Sequence, residues 1–148
     1  MNLIRVDLRQ FSGIICDFTI TEDNTILFVK ALGKYRSGSD GNCDGLYLFS
    51  VLVAYYFVYE PISMILDVRD LEYSWGNTIL KSLNFFNEVA RDNDEKNKVI
   101  IIIHSDENQQ AITGVLKMLK DGKQILCKDP DEAFGIAIEK VQKYLDNR

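Results

Sequence analysis

The sequence predicts one α/β domain with a mixed, partly parallel sheet, helices layered against it and an N-terminal β-meander. Predicted strands and helices alternate regularly after Pro61, which is typical of βα units with parallel strands. The run from Val99 to Ile103 consists of five aliphatic β-branched residues, as expected for a strand covered on both faces. A length of 148 residues, 47% of them hydrophobic, suits a single core.

The first third of the chain predicts strands joined by short turns. Leu3–Leu8 alternates apolar and polar residues, and Gly13–Ile20 is rich in apolar and β-branched residues. Thr25–Leu32 follows the turn signal Glu-Asp-Asn at 22–24. These segments are expected to form a meander or a hairpin pair.

A loop and a long apolar segment follow. Residues 33–45 contain four glycines among Ser, Asp and Asn, a composition that favours a mobile contact loop. Leu46–Tyr59 is long enough to favour a helix buried on most sides, with Asn42 or Asp44 as its N-cap.

The βα units are predicted from periodicity and from caps. In the last helix, Asp129 stands at the N-cap position and Pro130 at the first helical position. Apolar residues at helical spacing give each predicted helix one buried face. In order, the predicted elements are strand 62–68, helix 77–91, strand 98–104, helix 107–120, strand 123–128 and helix 130–146.

Composition excludes several function classes. The longest apolar run, 46–59, is shorter than the 18 or so residues of a membrane span, and the N-terminus has no basic leader, so a cytoplasmic protein without membrane contact is expected. Three cysteines without CxxC spacing and one histidine predict free thiols, no metal and no cofactor. Neither the phosphate-loop pattern nor GxGxxG is present. Asp40, Asn42 and Asp44 stand at alternate positions, like the first ligands of a calcium loop, but the twelfth position counted from Asp40 is Val51 instead of glutamate.

Negative charge is concentrated in residues 37–80. This region has six carboxylates and one basic residue, Arg69, whereas the rest of the chain is balanced at 16 acidic and 16 basic residues. Such a region repels nucleic acid and attracts a basic protein surface. The carboxylates are Asp40, Asp44, Glu60, Asp67, Asp70 and Glu72.

Each candidate site residue has a structural interpretation as well as a functional one. Trp75 either anchors a partner or covers the core from one side, and Ser74 either contacts a partner or caps the helix. Asp67 and Asp70 could act as paired carboxylates, although satisfying turn amides explains them more simply. His104, Ser105 and Asp106 are consecutive, which does not suit a catalytic triad, and helix capping explains Ser105 or Asp106.

The segment from Pro61 onward resembles the second half of a STAS domain, the family of sulfate-transporter cytoplasmic domains and bacterial anti-sigma factor antagonists. Ile65-Leu66-Asp67, Leu71-Glu72-Tyr73 and Ser74-Trp75-Gly76 correspond to the family's strand end, turn and helix start, and Asp129–Phe134 resembles its closing segment. In the antagonist branch, a phosphorylated serine directly precedes the helix glycine; here that position is Trp75, and Ser74 lies one place earlier. The resemblance implies a docking surface at the start of the second helix.

The predicted function is that of a non-enzymatic domain that binds and inhibits another protein with a basic surface, such as an immunity or antitoxin-type inhibitor of a basic toxin. The alternatives are an anti-sigma antagonist-like regulator, and a small enzyme or ligand-binding protein using Asp67, His104 and the glycine loop. The predicted partner-binding residues are Asp40, Asp44, Asp67, Asp70, Glu72, Tyr73, Ser74, Trp75 and Asn77.

Overall fold

A mixed sheet lies at the centre of the molecule, in a computed structural model that describes residues 1–120 and 123–148. Its strands are β1 (Ile15–Ile20), β2 (Ile26–Lys34), β3 (Ser63–Asp67), β4 (Leu71–Glu72), β5 (Val99–Ile103) and β6 (Ile125–Cys127). The order is β1-β2-β3-β5-β6, and the short β4 pairs with the end of β2. Pairing is antiparallel between β1 and β2 and parallel between the other neighbours. The predicted mixed, partly parallel α/β class is therefore confirmed.

The hairpin of β1 and β2 is closed by side chains of its own turn. Ile20 pairs with Leu27 beside the turn. Asn24 has a φ of 59°, a left-handed conformation that asparagine tolerates better than most residues. The carboxylate of Asp23 accepts hydrogen bonds from the hydroxyls of Thr21 and Thr25 at 2.6 and 2.7 Å. The two predicted strands therefore pair as expected.

The predicted first strand, Leu3–Leu8, is wrong. Residues 1–7 have no regular structure, and Leu8–Phe11 forms a short 3-10 helix. The carboxylate of Asp7 accepts the amide of Arg9, which caps this helix and turns the chain out of an extended path. The alternation of apolar and polar residues therefore predicted a strand that does not form. The apolar side chains of this segment lie exposed, and Leu3 is 89% exposed.

Helix α1 (Asn42–Tyr59) covers one face of the sheet through Leu48, Leu52 and Tyr56. The helix matches the predicted one but is not buried on most sides, since Val58 is 72% exposed. It is apolar around its whole circumference, so periodicity could not indicate which side faces the sheet. It ends at Glu60, whose φ of 49° is left-handed, one residue before Pro61.

The predicted N-cap of α1 is also wrong. The helix follows Gly41, and no side chain caps it. Asn42 instead accepts a hydrogen bond from the hydroxyl of Thr78, and Asp44 is bound by Arg36. Both polar side chains are used to hold the neighbouring loop and turn.

The remaining helices follow the predicted order, with one break. The helix predicted over 77–91 is two short helices, α2 (Leu80–Leu83) and α3 (Phe85–Val89), separated by Asn84. The segment between that predicted helix and the strand predicted at 98–104 contains α4 (Asn93–Lys96). Helix α5 (Gln109–Leu116) is shorter than predicted, and α6 (Pro130–Asp146) has the predicted cap, Asp129.

The core lies on both faces of the sheet. Met64 and Leu66 of β3 point to the face covered by α1, α2, α3 and α5, whereas Ile65 points to the face covered by α6. This follows from the two-residue periodicity of a strand. Ile100 to Ile103 are at most 4% exposed, as predicted for a strand covered on both faces.

Candidate partner-contact surface

The turn after β3 is built around a buried carboxylate. Asp67 is 1% exposed. Its two oxygens accept Nε and Nη2 of Arg69 at 3.0 and 2.8 Å, and Oδ1 also accepts the Arg69 amide at 3.1 Å. Asp67 therefore fixes the turn, in agreement with the simpler of its two interpretations, and does not present its carboxylate at the surface.

The next residues are held from the opposite side by Asn108, which is 2% exposed. Its side-chain amide donates to the carbonyls of Val68 and Leu71 at 2.8 and 3.1 Å. Leu71 then begins β4, which pairs with Gly33 and Lys34 at the end of β2. The acidic turn is thus tied both to α5 and to the sheet, so it is a rigid feature of the fold.

The glycine-rich loop packs on the turn that precedes α2. The amide of Gly38 donates to the carbonyl of Trp75 at 3.4 Å, and the hydroxyls of Ser37 and Ser74 are 2.8 Å apart. Gly38 has a φ of 63°, and a Cβ placed there would lie 2.6 Å from Cη2 of Trp75. The close approach therefore requires glycine.

Trp75 is 62% exposed, although one side of its ring lies against Gly38. Tyr73 is 5% exposed and points inward, where its hydroxyl donates to the carbonyl of Gly76 at 2.8 Å. Its ring makes an edge contact with Tyr35, with centroids 5.1 Å apart. Of the two aromatic residues predicted to contact a partner, Tyr73 supports the turn from inside and Trp75 is available at the surface.

An ion pair between the buried Asp44 and the exposed Arg36 holds the base of the loop. Asp44 is 0% exposed and accepts hydrogen bonds from the amide and the guanidinium of Arg36, at 2.9 to 3.3 Å, and from Ser12 at 2.8 Å. Burial alone would raise the pKa of Asp44, but these hydrogen bonds outweigh it and lower the pKa. Asp44 therefore acts inside the fold.

Three of the nine predicted contact residues, Asp44, Asp67 and Tyr73, are thus buried, and the structure corrects their assignment to an exposed surface. The loop and the turn bring the others to the outside of one loop-and-turn region. We call this set the contact surface. Its members are Asp40, Asp70, Glu72, Ser74, Trp75 and Asn77, all exposed.

The contact surface is less acidic than the sequence suggests. Arg36 and Arg69 neutralise the two buried carboxylates, and Lys30 lies 3.0 Å from Asp70. Within residues 1–120 and 123–148, Asp40 and Glu72 have no ion-pair partner. Sequence counting misses this because Lys30 and Arg36 lie before the acidic region.

The residues of the enzyme alternative do not form a catalytic pair. Both oxygens of Asp67 are occupied by Arg69, and Nδ1 of the buried His104 lies 3.1 Å from the carbonyl of Ser105. The hydroxyl of Ser105 accepts the Asn108 amide at 3.1 Å in the turn before α5, and Asp106 pairs with Lys128. The predicted capping by Ser105 or Asp106 is wrong, because α5 begins after Asn108 and has no side-chain cap. These contacts serve the fold.

The described residues contain no group of three or more His, Cys, Asp or Glu side chains placed to hold a metal ion. Cys16 and Cys127 are free thiols, and burial raises their pKa to about 12 and about 11. Cys43 is free and exposed. Among the described helices, none combines the length and apolar character required to cross a bilayer.

Comparison with known proteins gives a structural similarity. No protein-family model matches the chain, and no curated protein matches it. A solved structure, described as an uncharacterized protein from the DUF3478 family with a SpoIIAA-like fold from Shewanella loihica PV-4, is similar to it at 20% sequence identity. The match covers 84% of this chain and 93% of that one, with a TM-score of 0.48. A similarity at this level carries no argument about activity.

Sequence reasoning missed the residues that shape the surface. Ser37 contacts Ser74 of the surface from 37 positions away. Asn108 and Arg36 support it from beneath, through Leu71 and the buried Asp44, which lie 37 and 8 positions from them. The abundance of Gly, Ser and Asp in the loop was the available signal, and it indicated a loop without indicating its packing partner. The buried Asn108 had no local signal beyond its place at the start of a helix.

Proposed function

We propose that this chain is a non-enzymatic protein-binding domain that docks on a partner through the contact surface. The observation that carries the proposal is Trp75, a large aromatic side chain that is 62% exposed on a turn held by buried polar contacts. Tryptophan is among the residues that most often dominate interface energies. A solvent-exposed tryptophan on a fixed turn is therefore a suitable anchor.

The surface is organised before a partner arrives. Asp44 and Asp67 fix the loop and the turn through local hydrogen bonds from Arg36 and Arg69, and Asn108 holds the turn from 40 positions away in the chain. A surface that is already ordered loses less conformational entropy on binding. This supports docking as a preformed unit.

The partner we propose has a basic surface, and the domain inhibits it by occlusion, as an immunity or antitoxin-type protein inhibits a basic toxin. Asp40 and Glu72 are exposed members of the contact surface, without an ion-pair partner in the described chain. Carboxylates around an aromatic anchor complement Lys and Arg and increase the rate of encounter. A nuclease is the expected toxin class, since its substrate site is itself basic.

The test is affinity capture from the native host with wild type, Trp75→Ala and Phe57→Ala as baits. Phe57 is a matched control because it is a 42% exposed aromatic residue on α1, 15 residues beyond Asn42 and so about 22 Å from the loop. We expect a basic protein that Trp75→Ala loses and Phe57→Ala retains. Wild type should suppress the toxic activity of the captured protein, and Trp75→Ala should fail to suppress it. Equal capture of that protein by Trp75→Ala and Phe57→Ala would contradict the proposal.

A salt and charge series tests the electrostatic part separately. Glu72→Lys reverses an exposed charge and should slow association and reduce its dependence on ionic strength. Glu139→Lys on α6 is the control, because Glu139 is also exposed. If both reversals change the association rate equally, only net charge matters and the contact surface is not the docking site.

A regulator resembling anti-sigma factor antagonists is the second candidate, supported by the exposed hydroxyl of Ser74, 2.8 Å from that of Ser37. A phosphate added there would place about two negative charges on the contact surface. The measurement is phosphopeptide mass spectrometry of the protein isolated from its host, with Ser74→Ala and Ser50→Ala compared. Phosphorylation that only Ser74→Ala abolishes would support the regulator; phosphate confined to other sites would contradict it.

A further inference from the structure

A cavity of about 600 Å³ lies at the opposite end of the sheet from the contact surface. Its lining includes Ile62 and Val99, which stand at the amino ends of β3 and β5, and residues of the last turns of α6. The contact surface instead follows the carboxyl end of β3. The volume is within the range of small-molecule sites, roughly 300–1,000 Å³.

Basic side chains dominate this cavity although the chain has a net charge of −5. One carboxylate, Asp94, is among the lining residues. Lys140 and Lys143 have no ion pair within residues 1–120 and 123–148. The lining cations are Lys98, Lys140, Lys143 and Arg148.

Lys98 is held in the wall by neutral oxygens. Its Nζ donates to the hydroxyl of Tyr56 and to the carbonyl of Pro61, both at 3.1 Å. Burial lowers the pKa of this ammonium, and two of its three N–H groups are used. A cation in this state gains from a nearby anion, because attraction is stronger where the group is partly removed from water.

Three of the acidic residues near this wall are already engaged, whereas Asp94 lines the cavity itself. Glu95 is bound by Arg91 and by the hydroxyl of Tyr56, and Asp92 caps the amide of Glu95. Glu60 lies 3.8 Å from Arg91. Glu95, Asp92 and Glu60 therefore have partners of their own, whereas Lys140 and Lys143 of α6 have no ion pair in the described chain.

An aromatic wall completes the cavity. Tyr144 lines it, and the guanidinium of Arg148 lies 5.2 Å from the Tyr144 ring centroid. A planar ring can stack on tyrosine while its phosphates meet the lysines. We propose that this cavity binds a small soluble phosphorylated molecule, with Lys98, Lys140 and Lys143 contacting its phosphate groups.

The proposal has to be distinguished from a purely structural role of the lysines. Cations near the carboxyl end of α6 also interact favourably with the helix dipole. That role predicts a small loss of stability in a variant and no ligand binding. Unfolding midpoints and ligand affinity are therefore measured on the same samples.

The probes are sodium pyrophosphate and AMP, titrated into the whole chain by calorimetry at constant ionic strength. Lys140→Ala/Lys143→Ala is compared with Lys117→Ala/Lys120→Ala, which removes the same charge from exposed lysines at the end of α5. Alanine favours helix at positions 140 and 143, and Lys117 and Lys120 are exposed beyond the last residue of α5, so both variants should fold. For Lys140→Ala/Lys143→Ala we expect the dissociation constant to rise at least about tenfold relative to wild type, which corresponds to about 1.4 kcal/mol of binding free energy. The Lys117→Ala/Lys120→Ala variant should bind as wild type does.

Three outcomes would overturn the proposal. The first is equal affinity of the two double variants, which would show general charge attraction. The second is reproduction of the pyrophosphate effect by sodium chloride of equal ionic strength. The third is absence of pyrophosphate and AMP binding to wild type. Loss of capture by Trp75→Ala is independent of all three, so failure here does not affect the proposed docking function.

Discussion

Glu95 should make the stability of this domain depend on pH between about pH 5 and pH 2. Its carboxylate accepts hydrogen bonds from the amide and the guanidinium of Arg91 and from the hydroxyl of Tyr56. These contacts, the Arg91 amide first, lower the pKa of Glu95 from 4.5 to about 2. The charged form is therefore stabilised by folding.

The sign and the size follow from linkage between protonation and folding. A pKa lowered in the folded state contributes stability above the unfolded pKa, and this is lost as pH falls through the folded pKa. A shift from 4.5 to about 2 corresponds to about 3 kcal/mol at neutral pH, using about 1.4 kcal/mol per pKa unit. About 2 kcal/mol of this should be lost by pH 3.

The assay is urea unfolding of wild type and Glu95→Gln at pH 7, 5, 4 and 3. Glutamine keeps the shape and cannot carry the charge, so the difference in unfolding free energy should fall from about 3 kcal/mol at pH 7 to about 1 kcal/mol at pH 3. Glu88→Gln is the control, since Glu88 is exposed and 3.9 Å from Lys81. A difference between wild type and Glu95→Gln that stays constant with pH would refute the reasoning.

Three further predictions concern the buried side chains. Asp44→Asn should lower the unfolding free energy in urea by about 2–3 kcal/mol, because the buried Asp44 carboxylate loses its charge-assisted hydrogen bonds from Arg36, whereas the exposed Asp40→Asn should change it by less than about 0.5 kcal/mol. Leu66→Ala, at a position 0% exposed, should cost about 3–5 kcal/mol in the same assay; a cost below about 1 kcal/mol would mean that β3 is not central. Iodoacetamide at pH 8 should add one group, at the exposed Cys43, since burial raises the pKa of the other two thiols; intact-mass analysis showing equal modification of all three would contradict their burial.

Local sequence predicted the fold well wherever a single physical cause dominated. The β-branched run of β5 identifies a covered strand, and Asp129-Pro130 specifies the start of α6 by cap and by backbone restriction. The break at Asn84 was not predictable in this way, because both short helices keep apolar residues on the same side. Nor was the absence of a strand at Leu3–Leu8, since alternation says nothing about whether a neighbouring strand is available.

The candidate surface was predicted in position but not in charge. The strand end and the turn were recognisable from one continuous segment, whereas the sequence left Trp75 open between a partner contact and a cover for the core. Whether a carboxylate points outward depends on partners that lie elsewhere in the chain. Asp44 and Asp67 are each held by an arginine, and a count of acidic residues cannot reveal such pairs.

The two proposed sites can be separated although salt weakens both. The contact surface is formed by the glycine loop and the turn after β3, and the cavity by the amino ends of β3 and β5 with the end of α6. Because both proposals depend on charge, a decrease of binding in salt does not identify which end is used. Trp75→Ala changes one end without altering charge, and Lys140→Ala/Lys143→Ala changes the other, so a partner lost with only one of them is assigned to that end.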